Sequence, residues 1–239
     1  MAAEGRERRV AGCFDVHLRP EQPAPGSNYA IPHDGARPTA ADVAELVAAF
    51  ESAGRVPRLE YLPSTAPEAE DVLLAHGFEV ELRTTVMACD APGLADVPPP
   101  PGVTLHALDE HATLEEADAL MRVQAEAFGD EHRPLERRPL WLGHFIAVLA
   151  RADGEPAGGG MCLARLLGTT ELVGIAVTER FRRRGIAAAL TADLARRAFA
   201  DGARQAILTP GGDDAGRVYA RAGFVPVDEM LHLRRVGPR

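Results

Sequence analysis

The stretch Glu171-Leu-Val-Gly-Ile-Ala-Val177-Thr-Glu-Arg-Phe-Arg182-Arg183-Arg184-Gly185-Ile186-Ala187 sets a basic turn with a glycine between an apolar run and an alanine-rich one. That order reads as a strand, a turn and the start of a helix. N–H groups at a helix start lack intrahelical acceptors and sit at the positive end of the macrodipole, so such a turn suits a phosphate group. Gly185 lets the backbone approach a ligand, and small Ala187 keeps the first turn clear. Arginines that are not fully solvated add charge-assisted hydrogen bonds of roughly 1.5–3 kcal/mol each. The plainer alternative is an arginine run solvated at a helix start. Glu171 opens the strand six residues before Val177, and strict alternation would set 171, 173, 175 and 177 on one face. His132 and His144 are bases suited to neutral pH, with a polar wall or surface position as the alternative for each. Glu155 reads as solvated beside a turn.

The elements that must position these residues follow from periodicity. Val43, Leu46, Val47 and Phe50 give a helix, capped by Thr39 and ended by Gly54; Arg58 to Leu62 reads as a strand. Thr65-Ala66-Pro67-Glu68 has the form of a capping box opening a helix that stops at Gly77, and Phe78 to Ala88 alternates as a strand with Phe78, Val80 and Leu82 on one face. Pro20 to Pro38 reads as a loop. The same order recurs later: a helix over Ile186–Ala200, a strand over Gln205–Thr209, a helix over Asp214–Ala222, then Gly223-Phe224 and a strand. Gly54 to Gly77 spans 23 positions and Gly202 to Gly223 spans 21, which suggests two copies of one α/β unit. Ahead of the second copy's repeated part, Val103–Leu108 reads as a strand and Leu114–Phe128 as a helix. Three strands follow, over Phe145–Ala150, Gly158–Leu166 and Glu171–Val177, the first two joined at the hairpin turn Asp153-Gly154. The prolines 98–101 mark a stiff spacer, which divides the chain into 1–97, a linker over 98–102, and 103–239.

Composition removes several classes. The 239 residues carry 26 basic side chains against 35 acidic ones, a net charge of −9, which argues against nucleic acid or an anionic membrane as partner. Residues 1–100 hold 8 arginines and 16 acids, leaving the second part nearly balanced. Every basic residue is arginine; without lysine, Schiff-base chemistry and Walker-type phosphate loops are excluded. Cys13, Cys89 and Cys162 are too far apart in sequence for a paired zinc motif, so no metal is expected. No run reaches a membrane-spanning length and the first residues lack a secretory h-region, so the expected location is cytoplasmic. Gly158-Gly159-Gly160 does not fit the spacing of a dinucleotide-binding turn.

In Arg182-x-x-Gly185-x-Ala187 and Tyr219-Ala-Arg-Ala-Gly223-Phe224, in that order, the chain resembles the GCN5-related N-acetyltransferase (GNAT) superfamily over about residues 103–235. The resemblance implies that superfamily's α/β fold with a mixed sheet, preceded by a truncated GNAT-like copy, and transfer of acetyl from acetyl-CoA to a primary amine in a ternary complex. It further implies that the turn Arg182, Arg183, Arg184, Gly185, Ile186 and Ala187 binds the pyrophosphate. Main-chain groups of Ile175, Ala176 and Val177 would hold the pantetheine arm, with the Val177 N–H on the thioester oxygen. Tyr219 would protonate the leaving thiolate, or else pack under the coenzyme, and Glu171 would be the general base, or else a surface carboxylate. Gly212 stands where many members carry an asparagine. A small-molecule acceptor is favoured over a protein; an acyl-CoA-binding module without turnover is the rival reading, and a homodimer is one assembly open to the fold. The N-terminal copy has Leu73 in place of the tyrosine and no arginine-glycine turn, so it is expected to bind no coenzyme.

Overall fold

The computed structural model describes residues 7–22 and 25–236, so most of the N-terminal stretch read above for a leader lies outside the described residues. In chain order the strands and helices are β1 (Glu7–Ala11), β2 (Phe14–Leu18), β3 (Tyr29–Pro32), α1 (Ala40–Ser52), β4 (Arg58–Tyr61), α2 (Ala69–Ala75), β5 (Phe78–Asp90), β6 (Val103–Ala107), α3 (Leu114–Phe128), β7 (Ile146–Ala152), β8 (Glu155–Cys162), β9 (Thr169–Val177), α4 (Ile186–Ala200), β10 (Gln205–Leu208), α5 (Asp213–Arg221) and β11 (Val225–Arg235). They form two compact units, Met1–Thr85 with Asp228–Arg239, and Val86–Val227. Residues 86–102, which hold the proline run, therefore lie with the second unit.

In the first unit the strand order is β1-β2-β3-β4-β11, antiparallel except for β3 beside β4. Its core joins Phe14, Val16, Leu46, Phe50, Leu59 and Leu73. Two sequence expectations fail here, one for a non-local reason and one for a local one. The loop expected over Pro20–Pro38 contains β3, whose partner β2 is distant in sequence (Val16 opposite Ala30) and so leaves no local signal. The capping box at Thr65 does not form, because Pro67 bars Ala66 from helical geometry. Thr65 instead donates its hydroxyl to Leu62 C=O at 2.9 Å within a 3-10 turn, and α2 begins at Ala69 with no side-chain cap. Val80 and Leu82 do not share the burial of Phe78: they are exposed.

The second unit orders its strands β6-β7-β8-β9-β10-β5, antiparallel except for β9 beside β10. Alternation along β7 sends Val148 and Ala150 to a core with α4 and Phe224, and Ala147 and Leu149 to a core with Leu120 of α3, so α3 and α4 cover opposite faces. The glycine triplet in β8 makes this packing possible: a Cβ on Gly159 would stand 2.1 Å from Leu120, and one on Gly160 2.8 Å from Leu194. The β7–β8 hairpin turns at Asp153 (φ +52°) and Gly154 (φ +86°), both left-handed as a tight two-residue hairpin requires.

The repeated order is present, α1-β4-α2-Gly77-Phe78-β5 and α4-β10-α5-Gly223-Phe224-β11. Each unit completes its sheet with a strand from the other half of the sequence. In the first, β4 pairs with β11 (Leu231 opposite Tyr61); in the second, β10 pairs with β5 (Leu208 opposite Met87). The stretches after those strands repeat the exchange: Val236 N–H donates to Gly77 C=O at 3.1 Å, and Ala95 N–H to Ala222 C=O at 3.1 Å.

Candidate active site

The site positions expected from the sequence fall in the second unit, around β9. Parallel pairing of β9 with β10 runs only from Gln205–Thr169 to Ile207–Glu171. Beyond it β10 has one more residue and β9 six, so the two strands part and leave one side of β9 without a strand partner. Thr178 N–H donates across to Ala157 C=O of the β8 side at 3.0 Å. Main-chain direction alternates along a strand, so the N–H group of Val177, next to Thr178 and beyond any irregularity, points the other way, into the opening.

A bulge interrupts β9. Gly159 opposes Ala176 and Met161 opposes Val173, so Gly174 and Ile175 together face Gly160, and Gly174 takes φ +62°. This breaks the strict alternation read from the sequence. Val173 packs in the α3 core, whereas Ile175 and Val177 pack in the α4 core. Glu171, two residues from Val173 and half-buried, therefore belongs to the α3 face and not to the face of Ile175 and Val177.

The helix start that follows is open. Gly185 is the N-cap of α4 at φ +85°, no side chain caps the helix, and its first turn holds no acid. Its first intrahelical bond is Ala189 N–H to Gly185 C=O at 3.2 Å, which leaves the N–H groups of Gly185, Ile186, Ala187 and Ala188 without helical acceptors. Arg183, also left-handed at φ +62°, is exposed; Arg184 lies over the Phe181 ring, 5.3 Å from its centroid. Arg182 instead donates its Nε to Val177 C=O (3.1 Å) and Nη2 to Ala127 C=O (3.3 Å). Pro100 of the proline run stands 3.5 Å from where a Gly185 Cβ would be.

Tyr219 on α5 is buried in the α4 core, and burial alone pushes its phenol above the ordinary range, so it holds its proton at neutral pH. The thiol of Cys162 is pushed up to about 12, chiefly by burial and then by Asp193 and Asp201, and is inert as a nucleophile. His132 is engaged with α3: its Nε2 lies 3.2 Å from Asp118 Oδ2, and Asp118 also accepts Leu135 N–H at 2.7 Å. The Leu135 bond, then His132, holds the Asp118 carboxyl below the usual range. His144 lies just before β7, toward the end of the sheet opposite Val177, and Glu155 is an exposed partner of Arg180 at 2.6 Å. Sequence reading missed Gln124, whose Nε2 donates to Gly174 C=O at 2.8 Å. Its signal was a polar residue four positions after buried Leu120 on the inward stripe of α3.

Residues 112–224 match the model of the acetyltransferase (GNAT) family. The chain as a whole has the GNAT fold. It is similar to a GCN5-related N-acetyltransferase from Kribbella flavida, 29% identical, with 98% of this chain and 91% of that one covered and a TM-score of 0.82. A GCN5-related N-acetyltransferase from Sphaerobacter thermophilus is 19% identical over 94% of this chain and 77% of that one, with a TM-score of 0.68. A tandem GNAT protein from the clavulanic acid biosynthesis pathway is 17% identical, covering 100% and 86%, with a TM-score of 0.64. No curated protein matches the sequence. Among the described residues, no helix is long and apolar enough to cross a membrane.

Proposed function

We propose that the chain is an N-acetyltransferase that moves acetyl from acetyl-CoA to the primary amine of a small molecule, by direct attack in a ternary complex. The observation that carries this reading is the parting of β9 from β10 with an uncapped helix start at the end of the opening. The residues present fit the coenzyme. A pyrophosphate suits the free N–H groups of Gly185–Ala188, with Arg183 and Arg184 for added charge and Arg182 beside them. A pantetheine arm suits the unpaired edge of β9, where it adds like a strand along Ile175, Ala176 and Val177. In the transfer, the amine nitrogen bonds to the thioester carbon while Val177 N–H supports the charge growing on the carbonyl oxygen. The C–S bond then breaks, the sulfur takes a proton from Tyr219, and the surplus amine proton passes by way of water to Glu171 on the other face of β9. Inert Cys162 supports direct attack over an acyl-thiol intermediate.

The first unit is a degenerate copy of the same fold, on this reading. The repeated element order and the reciprocal strand pairings support it. Its helix α1 supplies its own anion: Asp42 accepts from Thr39 N–H (2.8 Å) and Thr39 Oγ (2.6 Å), filling the place a phosphate would take. The chain acts in the cytoplasm, where its donor is held.

Free-thiol release on mixing with acetyl-CoA and a panel of primary amines tests the reading. Release with at least one amine is expected. Coenzyme binding without release from any amine or peptide would favour the non-catalytic binding module, and release with peptides alone would make the acceptor a protein.

A further inference from the structure

The end of β9 has lost β10 on one side, and on the other its ladder with β8 is interrupted by the bulge before it resumes at Gly159–Ala176. Two side chains from outside the sheet hold its main chain. Gln124, on the α3 stripe that faces the sheet, donates to Gly174 C=O at 2.8 Å, at the left-handed residue of the bulge. The fit is close, because a Cβ on Gly174 would lie 2.3 Å from that same Nε2. At the other end, Arg182 donates to Val177 C=O and to Ala127 C=O. Ala127 lies in the last turn of α3, where carbonyls lack helical donors and a cation is favoured. The four residues 174–177 are thus tied to α3 at both ends.

We infer that Gln124 and Arg182 are positioning residues that clamp Gly174–Val177 to α3 and so fix the direction of the Val177 N–H group. The inference rests on the proposed acetyl transfer for its kinetic consequence alone; the clamp itself is a property of the free chain. Without the Gln124 donor, the bulge carbonyl loses its partner and the strand end gains freedom to shift. A displacement of about 1 Å at a reacting centre is enough to cost on the order of 100-fold in rate.

The test uses Gln124→Met, which keeps the length and removes the donor, and Gln124→Glu, which regains a donor when protonated. In the free chain, hydrogen exchange of the Thr178 N–H should quicken about tenfold in Gln124→Met, while that of Leu163 N–H, bonded to Glu171 C=O before the bulge, stays unchanged. With acetyl-CoA and an accepted amine, kcat should fall about tenfold in Gln124→Met with coenzyme Kd within about threefold of the parent. The kcat of Gln124→Glu relative to the parent should recover as pH falls, and that of Gln124→Met should stay flat. Unchanged Thr178 exchange in both variants would overturn the clamp. Faster exchange with normal kcat would overturn its role in positioning. Failure of the unaltered chain to bind or turn over acetyl-CoA would defeat the proposed function and leave the exchange experiment to decide the clamp.

Discussion

Replacing Tyr219 by phenylalanine separates a proton donor from a packing residue, because the structure gives the two roles different consequences. The ring is 9% exposed and lies in the core with Leu190, Ala222 and Phe224, and phenylalanine preserves those contacts. Burial alone accounts for the raised pKa of the phenol, so removing the hydroxyl breaks no charge interaction. The change in stability should therefore be under about 1 kcal/mol. If the phenol protonates the departing sulfur, kcat should fall by about 10-fold to 10³-fold, or about 1.4–4 kcal/mol of barrier. The low end of general-acid effects is expected because a thiolate is already a fair leaving group. Coenzyme Kd should stay within about threefold. Continuous thiol detection at saturating amine gives kcat, and calorimetric titration gives Kd. An unchanged kcat, or parallel losses in kcat and affinity with a lowered melting temperature, would refute the acid role and leave Tyr219 as core.

Glu171→Gln should move the acid limb of the pH–rate profile if that carboxylate is the base; an unmoved limb with normal rates would assign the proton to water or a histidine. Thr39→Ala removes the cap of α1 and should cost about 1 kcal/mol of stability in urea titration. It should leave coenzyme affinity unaltered, and a loss of affinity would place a coenzyme contact in the first unit. Iodoacetamide at pH 8 should spare Cys162 in the native chain, its thiol being pushed up to about 12, and acetyl transfer should survive the treatment; rapid loss of activity with labelling of Cys162 would contradict direct attack.

The strand, turn and helix start at β9 and α4 were legible in the sequence because their signals are local: an apolar strand, a glycine at a required left-handed position, and an alanine-rich helix start without acids. The bounds of α3 and α4 and the Asp153-Gly154 hairpin were legible for the same reason. What escaped depends on partners far along the chain. Strand β3 owes its existence to β2, and the bulge at Gly174 is set by the register against β8, where Gly160 alone faces two residues. A period-2 reading has no means of seeing that extra residue, so it aligned Glu171 with Val177 although they belong to opposite faces. The strand exchange closing each sheet was hidden likewise, since the partner of β4 lies about 170 residues away and local pattern carries no trace of it.

The central claim is that the chain holds a single coenzyme at the start of α4. Calorimetric titration of acetyl-CoA into the full chain tests it most directly, alongside a variant with Arg183→Ala and Arg184→Ala. About one coenzyme per chain is expected, because α4 begins with free N–H groups while α1 is capped by its own Asp42 carboxylate. The double variant should bind at least about tenfold more weakly, from the loss of two charge-assisted contacts. Two coenzymes per chain, or a double variant that binds as tightly as its parent, would contradict it.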